Sequence, residues 1–192
     1  MNIIVKTKGG SIYCRPDTTW ERENKDLYTP DFIESYSFTP VLFARISKAG
    51  KFIGTKYANR YYDGIGFGIL LYTSDQADGN LASIAETSCI DHTSFLPQPL
   101  YNPVVLESDT NDFNLRLDDK VIYSNKSNAF CTGHIEEAIC LASGRVSLRI
   151  GDMICIELDE PSTFLTADNL AGTHHLQAEF AGNDTLNLQI IK

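Results

Sequence analysis

The chain contains few groups of residues whose types could bind a metal ion. Asp75 and Asp78 could bind a divalent cation if their segment turns, because such ions prefer carboxylate oxygens. Two carboxylates without a third oxygen ligand nearby are more typical of a turn. His174 and His175 are adjacent, so on a strand their side chains would point to opposite faces and could not bind one ion together.

Two further groups contain residues that nucleophilic or acid–base catalysis uses. Cys89 and His92 could act as a nucleophile and its base, but nothing in their loop-like segment fixes the geometry. His134 precedes Glu136 and Glu137 at a predicted helix start, where acidic side chains favour the helix dipole and need no catalytic role. These residue types alone therefore predict no catalytic site.

The size and charge of the chain limit its class. Its 192 residues, of which 43% are hydrophobic, suffice for one substantial core and favour a single domain. The 16 basic and 25 acidic residues give a net charge of −9, a sign that repels phosphate groups. The sequence therefore predicts no nucleic-acid partner and no membrane partner.

Cysteine usage and the amino terminus indicate the compartment. The five cysteines form no Cys-x-x-Cys pair and predict buried, reduced thiols without a zinc site. The amino terminus lacks the basic and apolar regions of a signal peptide, and no apolar run approaches the roughly 20 residues that span a bilayer. We therefore expect a cytoplasmic protein.

Short runs of alternating or apolar residues predict that most of the chain is β-strand. The predicted strands cover residues 3–5, 41–46, 67–72, 104–106, 113–117, 121–123, 147–148, 153–158, 175–180 and 185–190. Gly, Asn and Asp between such runs predict hairpin turns at residues 8–10, 48–51, 117–120 and 181–184. Short helices are predicted at residues 55–62 and 134–142. The predicted fold class is α+β, predominantly β.

Several short motifs occur in an order that resembles the fumarylacetoacetate hydrolase family. They are Arg15-Pro-Asp17, Pro30-Asp-Phe32, Ile46-Ser-Lys-Ala-Gly-Lys-Phe-Ile53, Tyr61-Tyr-Asp63, Gly68-Ile69, Phe95-Leu-Pro97 and Gly151-Asp152. The resemblance runs from about Ser11 to the carboxyl terminus. It implies one domain over residues 1–192, with residues 1–14 as a shortened remnant of the family's amino-terminal region. The implied fold is a mixed β-sandwich roll with a few short peripheral helices, and the implied assembly is a homodimer.

Members of that family use a divalent cation, commonly magnesium, which is bound by two glutamates of a Glu-x-Glu strand and by a later aspartate. Hard oxygen ligands suit such an ion, which polarises a keto or enolate oxygen of the substrate. The resemblance places these positions at Thr39, Val41 and Leu70, or the first two at Phe38 and Pro40. None of these residues has a carboxylate, so the metal site is predicted to be degenerate.

Other parts of the family's site are also altered. Family members have an early histidine and glutamate that transfer protons, whereas this chain has no histidine before His92. The position of a substrate-contacting glutamine falls near Tyr123, and a Thr-Gly-Thr-Pro loop is replaced by Ile156-Glu-Leu-Asp159. The residual pocket candidates are Arg15, Asp75, Tyr123 and Glu157.

The preferred hypothesis is a noncatalytic protein with this fold, which acts as a binding or regulatory module and needs no cofactor. It would form a homodimer and bind a small-molecule ligand or an active paralogue. The alternative hypothesis is a metal-dependent hydrolase, isomerase or decarboxylase of small 2-oxo or 1,3-diketo acids. In that case Mg²⁺ or Mn²⁺ would bind a relocated site.

Overall fold

The computed structural model describes residues 1–73, 85–108, 111–126 and 132–192. Within these ranges the chain forms mostly β-strands, arranged in two sheets of mixed strand direction, with a few short helices at their periphery. The predicted fold class is confirmed. Asp75, Asp78 and Cys131 lie outside the described residues.

The strands range from the long, consecutive β5 and β6 to strands of only two residues, such as β3 and β7. The strands are β1 (Asn2–Lys6), β2 (Ile12–Pro16), β3 (Trp20–Glu21), β4 (Leu27–Tyr28), β5 (Tyr36–Ile46), β6 (Tyr62–Thr73), β7 (Ser94–Phe95), β8 (Asp112–Leu117), β9 (Lys120–Lys126), β10 (Met153–Glu157), β11 (Ser162–Leu165), β12 (Thr173–Phe180) and β13 (Asn183–Ile191). The α-helices whose full extent lies within the described ranges are α1 (Thr55–Ala58) and α2 (Thr132–Arg145), and 3₁₀ helices cover Asp17–Thr19 and Pro103–Glu107.

The first sheet curls into a roll. Its strands lie in the order β2-β1-β10-β5-β6-β7-β3, and β11 also pairs with β5. The edge strands β2 and β3 are consecutive in the chain and are joined only by the 3₁₀ helix Asp17–Thr19, so the two edges of the sheet lie close together. Thr19 Oγ1 is 2.8 Å from Ser94 Oγ, and this hydrogen bond joins the connection to β7.

The second sheet packs on the outer face of the roll. Its strand order is β4-β13-β12-β8-β9. The ring of Phe67, on β6, lies 5.2 Å from that of Phe113 and 4.6 Å from that of Phe180, both in the second sheet. Helix α2 adds Ile135 and Ile139 to the same core. One continuous apolar cluster therefore joins the two sheets and α2.

The inner face of the roll encloses a separate apolar cluster. Its buried members are Ile3, Val5, Val41, Phe43, Leu70, Tyr72, Leu96, Met153 and Cys155. Alternate residues of β5 and β6 belong to the two clusters, because successive side chains of a strand point to opposite faces. The central strands are therefore buried on both sides, which explains their long apolar runs.

Glycines on β6 allow the inner face to pack tightly. A Cβ atom at Gly68 would lie 2.2 Å from the Phe95 carbonyl oxygen, and one at Gly66 would lie 2.4 Å from the Phe43 ring. Glycine has no Cβ, so β7 and Phe43 can approach the strand closely at these two positions.

Three of the four predicted hairpin turns are confirmed. The turns at residues 8–10, 117–120 and 181–184 join antiparallel neighbours, and Gly10, Asp118, Asp119 and Gly182 have positive φ angles. The prediction for residues 48–51 is wrong, because residues 47–61 form a longer connection that contains α1.

Most predicted elements exist, with different boundaries. The helix predicted at 55–62 ends at Ala58, and the second helix extends to Thr132–Arg145. The strand predicted at 104–106 is wrong: the segment is the 3₁₀ helix Pro103–Glu107, and Asn102 Oδ1 caps it by accepting a hydrogen bond from Val104 N at 3.0 Å. At residues 147–148, where a strand was predicted, the structure has a single β-bridge between Leu148 and Gly50. Among the described residues, no helix has the length and apolar character needed to cross a membrane.

Candidate functional site

The three positions that the resemblance assigns to metal ligands lie together on the inner face of the roll. Thr39 of β5 is directly opposite Leu70 of β6 in the strand register. Val41 lies two residues along β5 from Thr39, so its side chain points to the same face. The three positions therefore lie at one location in the fold, although the residues belong to two strands.

The side chains at this location do not fit a divalent cation. Val41 and Leu70 are fully buried in the inner apolar cluster, beside residues such as Phe43. Thr39 has the only side-chain oxygen of the three, and its hydroxyl donates a 2.6 Å hydrogen bond to the Asp159 carbonyl oxygen. A hard cation needs several oxygen ligands, and these positions supply aliphatic groups instead.

A cluster of four polar side chains lies on the same inner face, and we call it the inner polar cluster: Tyr13, Arg15, Tyr72 and Glu157. Glu157 ends β10 opposite Val41, so its carboxylate lies beside the positions that the resemblance assigns to metal ligands. The Tyr72 hydroxyl donates to Glu157 Oε1 at 2.7 Å and also forms a hydrogen bond with the Tyr13 hydroxyl. Tyr13, Tyr72 and Glu157 therefore form a continuous hydrogen-bonded chain, and Arg15 contacts the ring of Tyr72 beside it.

Arg15 crosses the interior of the roll. Its side chain is buried, and Nη2 donates to the Leu71 carbonyl oxygen at 2.9 Å and to Thr93 Oγ1 at 2.7 Å. The guanidinium carbon lies 5.1 Å from the centre of the Tyr72 ring, within range of a cation–π contact. Nε and Nη1 have no hydrogen-bond partner among the described residues. Arg15 thus joins β2 to the opposite wall of the roll.

Burial controls the protonation of the inner polar cluster. It raises the pKa of the Glu157 carboxyl, although the hydrogen bonds from Tyr72 and from Lys8 N oppose this shift. Burial also raises the pKa of Tyr13 to about 12 and that of Tyr72 well above its ordinary value. Both tyrosines are therefore neutral hydrogen-bond donors at neutral pH.

The remaining candidates lie away from this cluster. Tyr123 is on β9 in the second sheet, where its hydroxyl accepts a 2.8 Å hydrogen bond from Asn125 Nδ2. His92 pairs with Glu21, at 3.3 Å between Nδ1 and Oε2, and Cys89 is exposed. The structure thus brings together two of the residual pocket candidates, Arg15 and Glu157, and places Tyr123 elsewhere. Asp75 lies outside the described residues.

The two neighbouring histidines occupy separate environments. His174 Nδ1 lies 2.8 Å from Asp118 Oδ2, whereas His175 Nε2 lies 2.8 Å from Asn187 Oδ1. Partial burial raises the pKa of Asp118, but the hydrogen bonds from His174 and from the His175 N–H outweigh it and lower that pKa overall. Their contacts position the turn between β8 and β9.

The cysteine prediction is partly wrong. The four described cysteines are free thiols, but Cys14 and Cys89 are exposed and Cys140 is half-buried. Cys14 is exposed because it follows the alternation of the edge strand β2 and points away from Tyr13 and Arg15. Only Cys155 is fully buried among the four, and burial raises the pKa of its thiol, which keeps it protonated and unreactive.

No group of three His, Cys, Asp or Glu side chains that could hold a metal ion occurs within the described ranges. A cleft of about 910 Å³ lies on another side of the molecule, and its walls include Leu27, Tyr28, Phe32 and His92. Its described lining does not include the residues of the inner polar cluster.

The sequence analysis missed Tyr13 and Tyr72. Tyr13 alternates with Arg15 on β2, a strand that the sequence patterns did not predict. Tyr72 lies two residues after Leu70 on β6, and this spacing on a predicted strand is a signal for a shared face. The second tyrosine could therefore have been found from the sequence.

The fold resembles solved structures of one group of enzymes. A fumarylacetoacetate hydrolase family protein from Yersinia pestis has a TM-score of 0.80 and 14% identity, over 99% of this chain and 92% of that chain. Fumarylpyruvate hydrolase from Pseudomonas aeruginosa, solved with Mn²⁺ and pyruvate, has a TM-score of 0.77 and 15% identity, over 100% and 89% of the two chains.

A third similar structure is an isomerase. The 2-hydroxyhepta-2,4-diene-1,7-dioate isomerase from Mycobacterium marinum has a TM-score of 0.77 and 15% identity, over 99% of this chain and 74% of that chain. No family model matches the sequence, and no curated protein is significantly similar to it. This chain has the fumarylacetoacetate hydrolase fold, as the sequence motifs predicted.

Proposed function

We propose that this chain is a divergent, noncatalytic member of the fumarylacetoacetate hydrolase family, which acts in the cytoplasm as a binding or regulatory module. The fold and the order of the sequence motifs support the relationship. We further propose that it forms a homodimer or pairs with an active paralogue. Light scattering of the purified chain, and copurification with a metal-binding homologue, test these two assemblies.

The arrangement of Thr39, Val41 and Leu70 carries the noncatalytic proposal. The three side chains share one location on the inner face, where they are buried and offer a single hydroxyl in place of three carboxylates. Without a cation, the reaction of the family lacks the group that polarises the substrate oxygen. Val41 and Leu70 are also members of the inner apolar cluster, and this apolar environment supports the same proposal.

Titration calorimetry with Mg²⁺ and Mn²⁺ tests this proposal. We expect no stoichiometric binding of either ion to the full chain, because the described positions lack carboxylate ligands. A matched Asp75→Asn variant should give the same flat titration. Tight one-to-one binding to the wild-type chain would contradict the proposal, and its loss in Asp75→Asn would place the ligands in a relocated site.

One observation favours the alternative function, a metal-dependent hydrolase, isomerase or decarboxylase of small 2-oxo or 1,3-diketo acids. Glu157 lies opposite Val41, and the Tyr72 hydroxyl donates to its carboxylate. A buried carboxyl with a raised pKa is a group that acid–base catalysis uses. Assays with acylpyruvates and oxaloacetate distinguish the functions: turnover that is lost in Glu157→Gln supports an enzyme, and no turnover by the wild-type chain rejects it.

A further inference from the structure

The basic residues are concentrated in two segments of the chain. Residues 45–62 and 138–151 contain seven of the 16 Lys and Arg residues and none of the 25 Asp and Glu residues. The rest of the chain therefore has nine basic and 25 acidic residues, a net charge of −16. The net charge of −9 conceals this separation.

The fold brings the two segments together. Gly50 and Leu148 form a bridge with N–O distances of 3.1 and 2.8 Å, and Phe52 N donates to the Ser143 carbonyl oxygen at 3.0 Å. Lys51 Nζ donates to the Arg145 carbonyl oxygen at 2.7 Å. We call the surface formed by residues 45–62 and 138–151 the basic end.

Most charges of the basic end have no counter-ion among the described residues. Arg45 pairs with Asp63, at 3.0 Å for each of two N–O contacts. Six exposed cations form no ion pair within the described part of the chain: Lys48, Lys51, Lys56, Arg60, Arg145 and Arg149. Such a cluster produces a positive potential that attracts anionic surfaces, even on an acidic protein.

Two large apolar side chains project from the same end. Phe52 is 76% exposed and follows Lys51, and Ile150 is 72% exposed and follows Arg149. Phe52 has a φ of +52°, a conformation that costs energy for a bulky residue and is often kept for function. Phe52 and Ile150 thus each follow a basic residue in a loop, between β5 and α1 and between α2 and β10 respectively.

We propose that the basic end binds the surface of an anionic phospholipid membrane. Cations that attract lipid headgroups, beside apolar side chains that enter the interface, are the combination that such surfaces bind. The strong exposure of Phe52 and Ile150 favours a fluid lipid surface, because a protein partner would need a matching pocket for each. The acidic remainder of the molecule would face away from the membrane.

This proposal reverses the sequence-based expectation of no membrane partner. That expectation rested on net charge, whereas attraction at short range depends on the charges within about 10 Å of the surface at moderate salt. The proposal does not depend on whether the chain is an enzyme, because the basic end is distinct from the inner polar cluster.

Cosedimentation with vesicles tests the proposal. The full chain should bind phosphatidylcholine vesicles that contain phosphatidylserine, should not bind pure phosphatidylcholine vesicles, and should dissociate as salt is raised. Arg149→Glu should weaken binding by at least about fivefold, the effect of one basic residue at an anionic surface. Phe52→Gly should weaken it about tenfold through lost apolar contact.

Matched controls separate binding from folding. Phe52→Gly relieves the positive φ angle, so its thermal midpoint should equal or exceed that of the wild-type chain. Phe32 has the same 76% exposure elsewhere on the molecule, and Phe32→Gly should leave binding unchanged. Lys120→Glu, an exposed charge reversal on β9, should weaken binding less than Arg149→Glu does.

Three results would overturn the proposal. The first is no binding of the wild-type chain to vesicles that contain phosphatidylserine. The second is an equal loss of binding in Phe32→Gly and Phe52→Gly, which would indicate a nonspecific apolar effect. The third is binding that polyglutamate displaces and Phe52→Gly does not weaken, which would identify an acidic protein segment as the partner.

Discussion

At the scale of single residues, Glu157 is a buried carboxyl whose protonation depends on its surroundings in the fold. It lies beside the positions that the resemblance assigns to metal ligands, and its carboxylate accepts hydrogen bonds from the Tyr72 hydroxyl at 2.7 Å and from Lys8 N at 3.1 Å. Desolvation raises the pKa of Glu157 overall, although these two hydrogen bonds and, to a smaller extent, Arg15 on the same face lower it. In the folded chain the carboxyl therefore keeps its proton to a higher pH than it does in the unfolded chain.

This shift predicts a pH-dependent stability. Because the folded-state pKa is above the ordinary value of 4.5, the contribution of Glu157 is complete below that value and is lost as pH rises through the raised pKa. The stability of the wild-type chain relative to Glu157→Gln should therefore fall as pH rises above 4.5. Thermal unfolding across a pH series measures this difference. The exposed control Glu34→Gln should follow the wild-type curve, and parallel curves for Glu157→Gln would refute the prediction.

At the scale of single elements, the alternating glycines of β6 determine how closely the roll can close. A Cβ at Gly68 meets the Phe95 carbonyl oxygen, a backbone atom that cannot rotate away. Gly68→Ala should therefore lower the free energy of unfolding by about 1–3 kcal/mol. Gly144 in α2 has open space at its Cβ position, so Gly144→Ala should raise it by about 0.5–1 kcal/mol. Denaturant unfolding of the two variants should give opposite signs, and equal signs would contradict this account.

The sequence predicted the elements whose signals are local. Asp118 and Asp119 have the positive φ angles of a tight hairpin, as the residue types at that turn indicate. The short strands β3 and β7 were missed, because strands of two residues have no periodicity and depend on pairing with each other. β2 was missed for a related reason: it is a short edge strand whose one fully buried residue is the charged Arg15, so it shows no apolar alternation. The omission of β2 concealed Tyr13, one of the four members of the inner polar cluster.

At the scale of the whole molecule, the charged residues divide the protein into two regions, whereas its two sheets share one apolar core. The basic end and the acidic remainder separate the molecule electrostatically, and this separation was visible in the sequence, since residues 45–62 contain no acidic residue. The proximity of residues 45–62 to residues 138–151 was not visible in the sequence, because this proximity depends on the long-range bridge between Gly50 and Leu148. Packing, in contrast, joins the two sheets through the cluster around Phe67.

That shared cluster predicts that the two sheets unfold together. Leu188 is buried in it from β13 of the second sheet, whereas Trp20, the one tryptophan of the chain, reports on the roll through β3 and its hydrogen bond to the Leu96 carbonyl oxygen. Leu188→Ala should lower the free energy of unfolding by about 2–5 kcal/mol, and tryptophan fluorescence and circular dichroism should report the same loss. Val121→Ala, an exposed change in the same sheet, should alter it by less than about 0.5 kcal/mol. A fluorescence transition that Leu188→Ala leaves unmoved would mean that the roll unfolds independently, and the chain would then contain two cooperative units.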